Sequence, residues 1–267
     1  MNESYLTERG LYYRTNQFSK ERETLVFVHG LSGSSSAWWR YEDYFGDRYN
    51  IVTFDLRGHG KSFRPKVYKD YDISLFADDL KALLSHLSIE TFVLIAHSFG
   101  AAVALEFMLS NPGRARSAVF LSPDIYIRKN RPVRLFFPLI GWITNIANLF
   151  VLSDKRGGHV DYARYLNTGD WNLRRITRDV FNTGLWPYLY TLKHLYRFDR
   201  EKQLGDIKVP ILLIHGTKDS MVPYDNSVQG IRKIHGSRLI TLPGARHVTI
   251  LNNFSEISQA LDEFLKV

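Results

Sequence analysis

The stretch TFVLIAHSFGAAVALEFMLS, Thr91–Ser110, decides how the rest of the chain is organised. Its opening residues, Thr91 to Ala96, are rich in β-branched and aromatic types and short enough for one buried strand. A four-residue break follows, and then Ala101–Ser110, where Ala and Leu favour a helix. Ser98 lies in the break, with the small residues Ala96 two before it and Gly100 two after it. A serine on a very sharp strand-to-helix turn needs small residues at those two places, because larger side chains would meet the neighbouring strand and helix. Such a turn pushes the hydroxyl out of the sheet and aims the Phe99 N–H into the same space. A lone serine ahead of a helix also suits an N-cap, so the outcome depends on the rest of the chain.

At 267 residues the chain has room for one α/β domain with an insertion, and a chain of that size buries roughly 75% of its unfolded surface. Hydrophobic residues at 45% and charged residues at 23% exclude a disordered or fibrous class. The absence of cysteine removes disulfides, a thiol nucleophile and thiolate metal sites. No metal-ligand spacing appears, and no glycine-rich phosphate loop lies in a fitting context, so no metal or cofactor is expected. The first residues, MNESYLTERG, lack a basic-then-apolar signal pattern and predict an intracellular, cytoplasmic protein. The net charge of +8 is local: residues 125–200 hold 13 Lys and Arg against 5 Asp and Glu, while the remainder has 22 of each sign. The basic residues cluster at Arg128, Lys129, Arg131 and Arg134 and again at Arg174, Arg175 and Arg178. No nucleic-acid module accompanies them, so nucleic acid is not the expected partner. A solvated basic surface on an inserted subdomain is the plain reading; contact with an anionic lipid surface or anionic substrate is the sharper one.

In chain order, Leu11–Phe18 and Thr24–His29 read as opening strands, the second ending at Gly30. A loop of small residues follows, then a short helix with Trp38 and Trp39. Asn50–Phe54 is the next strand and runs into DLRGHGKS, Asp55–Ser62. Apolar residues at Ile73, Phe76, Ala77, Leu80, Leu83, Leu84 and Leu87 recur at helical spacing, with Asp72 or Ser74 placed to cap them. After the 91–110 stretch come strands at Ser117–Leu121, Val209–His215 and Arg238–Leu242, with helices over most of Val222–Ile234 and over Phe254–Leu265. Short, wholly apolar strands alternating with helices predict a mostly parallel sheet covered on both faces. Function in such sheets collects at the C-terminal strand ends. Ser98, Asp219 and His247 each follow a strand, in that order.

HGLSGSSSAWW, FDLRGHGKS, AHSFG, HGTKDSMVP and the terminal GARH together resemble the α/β-hydrolase family, over nearly the whole chain outside residues 125–200. The resemblance implies a hydrolase core over 1–124 and 201–267, with 125–200 inserted as a helical lid. It makes Ser98 the nucleophile, His247 the general base and then acid, and Asp219 the group that holds the imidazole tautomer. It supplies an oxyanion hole from the main-chain N–H groups of Leu31 and Phe99; losing one such donor typically costs about 3–4 kcal/mol. Asp124 competes for the acid role, since some relatives carry the acid after that strand, but the HGTKDSMVP context favours Asp219. His29, His59 and His97 suit turn or packing roles, His215 lies on a strand end and His235 near a helix end. Asp55 reads as structural.

Relatives that open epoxides or displace halide carry aspartate at the turn, so Ser98 implies acyl transfer to water and carboxylic-ester hydrolysis. Lactone hydrolysis, carbon–carbon hydrolysis of diketo acids, cofactor-free perhydrolysis and a slow-turnover ligand receptor use similar triads. In the expected lid, Leu135–Ser153 is uncharged for 19 residues but interrupted by Pro138, Gly141, Thr144, Asn145 and Asn148. Two helices roofing an apolar pocket account for it better than a membrane span. Trp142 and Trp186 are the candidates for the pocket wall, with Trp171 and the Phe136–Phe137 pair behind them.

Overall fold

The computed structural model describes residues 1–125, 135, 138–139, 141–142 and 157–266. Its sheet has eight strands in the order β1-β2-β4-β3-β5-β6-β7-β8. These are β1 (Asn2–Leu6), β2 (Leu11–Thr15), β3 (Thr24–Val28), β4 (Asn50–Phe54), β5 (Phe92–His97), β6 (Ala115–Leu121), β7 (Ile211–Gly216) and β8 (Arg238–Leu242). The pairs β1–β2 and β2–β4 are antiparallel; every pairing from β4 through β3 to β8 is parallel. The fold is an α/β sheet flanked by helices, as the alternation of elements predicts.

Strand alternation divides the core into two layers. Val26, Val28, Leu94, Ala96, Phe120 and Leu213 face one way, onto α2 (Ile73–His86) and α3 (Phe99–Ser110). Leu25, Phe27, Val93, Ile95, Val119 and Leu212 face the other way, onto α1 (Trp39–Phe45) and the C-terminal helix Phe254–Leu265. Asp72 caps α2 by accepting the Ser74 N–H at 3.1 Å. The helix α3 is buried from Phe99 through Met108, as befits a helix apolar nearly all round. Its one carboxylate, Glu106, is paired by Arg200 at 2.7 and 3.0 Å.

One detail departs from the sequence reading. Strand β1 was not expected, because NESYL has no apolar alternation; it is an edge strand, exposed along its first four residues and held by the β2 ladder. The helix expected over most of Val222–Ile234 runs over Tyr224–Ile231. Most of the uncharged Leu135–Ser153 stretch lies outside the described residues, as do Phe136, Phe137, Arg128, Lys129, Arg131 and Arg134. Among the described residues between β6 and β7 the structure has the α-helices α4 (Leu173–Thr183) and α5 (Leu185–Arg197). No helix among the described residues is long and apolar enough to cross a membrane.

Candidate active site

Ser98 stands between β5 and α3 with φ 52° and ψ −120°, a backbone state that costs a residue with a Cβ. The turn is possible because α3 presses directly on β3. A Cβ at Gly100 would lie 2.6 Å from the Val28 carbonyl oxygen and 2.7 Å from that of His29. The strained turn directs the Ser98 hydroxyl at the loop after β8, where His247 Nε2 lies 3.0 Å from Ser98 Oγ. On its far side His247 Nδ1 is 2.8 Å from Asp219 Oδ2. The loops carrying Asp219 and His247 meet at Gly216, where a Cβ would come within 2.3 Å of the Ala245 carbonyl oxygen. Lys218 N–H also donates to that carbonyl, at 2.9 Å.

The electrostatics sort these groups. The Asp219 side chain is fully buried, and burial alone would raise its pKa. The His247 charge, hydrogen bonds from His215 and His247 and the Val222 N–H outweigh burial and hold the carboxyl far below the usual range. Its Oδ1 accepts the main-chain N–H groups of Met221 (2.9 Å) and Val222 (2.7 Å). For His247, burial opposes the charge, but Asp219, with Asp170 and Asp124 behind it, raises the imidazole above its ordinary value. With Nδ1–H committed to Asp219, Nε2 is free to accept the serine proton.

A profile of the α/β hydrolase fold matches residues 23–254. The chain belongs to that family. Mouse Protein ABHD8 is 24% identical over 90% of this chain, which spans only 54% of ABHD8 itself. Two solved structures share the fold. A hydrolase from Pseudomonas aeruginosa PA01 has a TM-score of 0.76 at 19% identity, covering 100% of this chain and 99% of that one. The enol-lactonase from Burkholderia xenovorans LB400 has a TM-score of 0.74 at 19% identity, covering 100% of both.

In this α/β hydrolase Ser98 and His247 open onto a cavity of about 360 Å³, with Asp219 behind the imidazole. Leu31 lines it, and the neighbouring Gly30 packs on His97 and Ser98. The Phe99 N–H belongs to the first turn of α3, where N–H groups have no intrahelical acceptor. Its ring does not shape the cavity; it is buried against Phe76, 5.3 Å between centroids. Asp124 also lines the cavity, its N–H donating to the Ser98 carbonyl at 3.2 Å. Burial raises its carboxyl to about 7. Of the histidines, His29 is fully buried, bonded to the Gly30 carbonyl and the Leu56 N–H. His97 is held to about 3 by burial and by the His247 charge. Asp55 accepts N–H groups from Ser35 and Lys61, each at 2.7 Å, tying the loops after β3 and β4 together.

The expected pocket tryptophans need correction. Trp142 is 64% exposed, and Trp186 packs half-buried against the core; neither lines the cavity. On α5 a residue two positions away is turned by about 200°, and it is Tyr188, with Leu192, that reaches the cavity. Trp171 lines it as well. The basic cluster divides in the same way: Arg174 and Arg178 are exposed, but Arg175 is buried and lines the cavity. Arg175 pairs with Asp179 at 3.2 Å, and Tyr162 donates to Asp179 at 2.9 Å. Sequence reasoning missed two residues with direct bonds to the group. His215 lies 2.9 Å from Asp219 Oδ2 and 2.7 Å from Ser227 Oγ; its i, i+4 spacing to Asp219 in HGTKD was the available signal. Asp170, which bonds the His247 main chain at 2.8 Å, has no local signal.

Proposed function

We propose that this α/β hydrolase cleaves carboxylic esters through an acyl-enzyme intermediate. The carrying observation is the continuous line Ser98 Oγ–His247 Nε2, His247 Nδ1–Asp219 Oδ2, at 3.0 and 2.8 Å, opening on a cavity. His247 takes the Ser98 proton as the hydroxyl attacks the ester carbonyl, and the imidazolium is stabilised by Asp219. The carbonyl oxygen gathers charge and is met by the N–H groups of Leu31 and Phe99. Collapse of the tetrahedral state expels the alcohol, protonated by His247, and water repeats the sequence on the acyl-serine. Carboxylic esters are favoured among the substrates of similar triads because the cavity is small and mostly apolar, lined by Leu31, Ile176, Val180, Leu192 and Ile250.

The test is a panel of aryl esters of graded chain length with a lactone and a diketo acid, read in the wild type and in Ser98→Ala. The expected result is ester turnover that is abolished in the variant while its circular dichroism is unchanged, with a fluorophosphonate probe labelling Ser98 alone. Retention of more than a few per cent of turnover in Ser98→Ala would remove the serine from the mechanism. Faster lactone turnover would move the substrate class and leave the triad in place.

A further inference from the structure

Asp170 belongs to the segment between β6 and β7, yet its carboxylate reaches both loops of the proposed triad. Oδ1 accepts the main-chain N–H of His247 at 2.8 Å. Oδ2 accepts the N–H and the hydroxyl of Ser220, the residue after Asp219, at 3.1 and 2.7 Å. The residue is 1% exposed, and its two oxygens meet donors only, the arrangement that suits a carboxylate. Asp170 is itself fixed from the same segment. Its carbonyl accepts an Arg175 N–H at 2.7 Å, and the indole N–H of the next residue, Trp171, donates to Ser220 Oγ at 2.9 Å.

Buried carboxylates are costly unless fully satisfied, so a carboxylate in this place has to be explained by what it holds. Elsewhere the Asp219 and His247 loops are joined by Lys218 N–H on the Ala245 carbonyl, by Gly244 N–H on Thr217 Oγ1, each at 2.9 Å, and by the Asp219–His247 contact itself. We propose that Asp170 is a positioning residue of the ester hydrolysis: by clamping the His247 main chain to the Asp219 loop, it fixes the imidazole against Ser98 and makes the base depend on the segment between β6 and β7. This rests on the serine-hydrolase function above. Its negative charge also faces the imidazole, where it favours the imidazolium formed during attack. The other titratable groups facing His247 are Asp219 on Nδ1, Asp124 after β6, and His97 on β5, whose ring lies 5.1 Å away and whose Nε2 is 3.1 Å from the His247 carbonyl. All three are common to wild type and variant, so a difference between their pH profiles isolates Asp170.

The test compares the wild type with Asp170→Asn, which keeps shape and one acceptor but loses the charge, and with Ser220→Ala, which removes one hydroxyl and leaves the buried carboxylate its N–H partners. For Asp170→Asn, kcat on a small aryl ester and the rate of fluorophosphonate labelling at Ser98 are both expected to fall about tenfold, the scale of one charge-assisted hydrogen bond. The acid limb of kcat/KM is expected to move to lower pH, because removing a negative charge disfavours the imidazolium. Ser220→Ala is expected to lower kcat about threefold, as for a single neutral hydrogen bond, with the limb unmoved. A raised KM or lowered Tm in Asp170→Asn, with kcat and the acid limb as in the wild type, would make Asp170 a mere fastener and overturn the proposal; so would unchanged kcat in both variants. Failure of the probe to label Ser98 in the wild type would instead sink the function on which the proposal rests.

Discussion

Asp219 and Asp124 follow neighbouring strands, β7 and β6, and lie beside the same histidine, yet their surroundings drive them in opposite directions. Asp219 receives two main-chain N–H groups and contacts from two histidines, and its carboxyl is held far below the usual range despite burial. Asp124 has comparable burial of charge but no hydrogen bond to its carboxyl among the described residues, and rises to about 7. Strand-end position and residue type therefore do not decide which carboxylate meets the imidazole charged and hydrogen-bonded. The turn GTKDSMV does, because it curls its N–H groups back onto the side chain that it carries.

The largest expected effect breaks or keeps this contrast outright. Asp219→Asn should lower kcat by roughly 10³–10⁴, because an amide holds the imidazole in the wrong tautomer. The double variant Asp219→Asn, Asp124→Asn should be no slower than the single one. A further loss in the double variant would mean that Asp124 takes over as acid, and the two sites would then be partly interchangeable.

A smaller effect sharpens the part played by His215. It donates Nε2–H to Asp219 while Nδ1 accepts from Ser227, so His215→Ala removes one hydrogen bond from a buried charge. Steady-state kinetics should show kcat lower by about tenfold with KM little changed. Activity equal to wild type would leave the two main-chain N–H groups as sufficient support for Asp219.

The smallest effect falls on Asp124. Asp124→Asn should stay within about threefold of wild-type turnover, since its carboxyl loses no hydrogen bond. Stability is the more telling readout. Folding raises this carboxyl from 3.8 to about 7, so between those values the native state binds a proton that the unfolded state does not. Stability from this group is thus present at low pH and lost as pH rises through 7. The Tm of Asp124→Asn minus that of the wild type should be more positive at pH 8 than at pH 5. An equal difference at both values would mean that Asp124 is not desolvated as described.

By itself, the sequence determined the class of the fold and the loops that matter. Apolar runs are short-range patterns, so Thr24–His29, Asn50–Phe54 and the 91–110 strand–turn–helix could be read directly; polar β1, which depends on its partner ladder, could not. Small residues around Ser98 announce the turn because steric exclusion there is local. The order Ser98, Asp219, His247 at strand ends named residues that the fold brings into one hydrogen-bonded line across 149 positions of chain. Only the tertiary structure decided the partners. Whether Asp124 or Asp219 meets the imidazole depends on N–H directions in a turn. Whether Arg175 or Arg174, Tyr188 or Trp186, faces the cavity depends on helix phase, about 100° per residue, against a wall with no trace in local sequence. Asp170 reaches His247 across 77 positions, because two loops and the segment between β6 and β7 converge there. Local sterics and periodicity are written along the chain, whereas the pairing of polar groups is set by which segments meet.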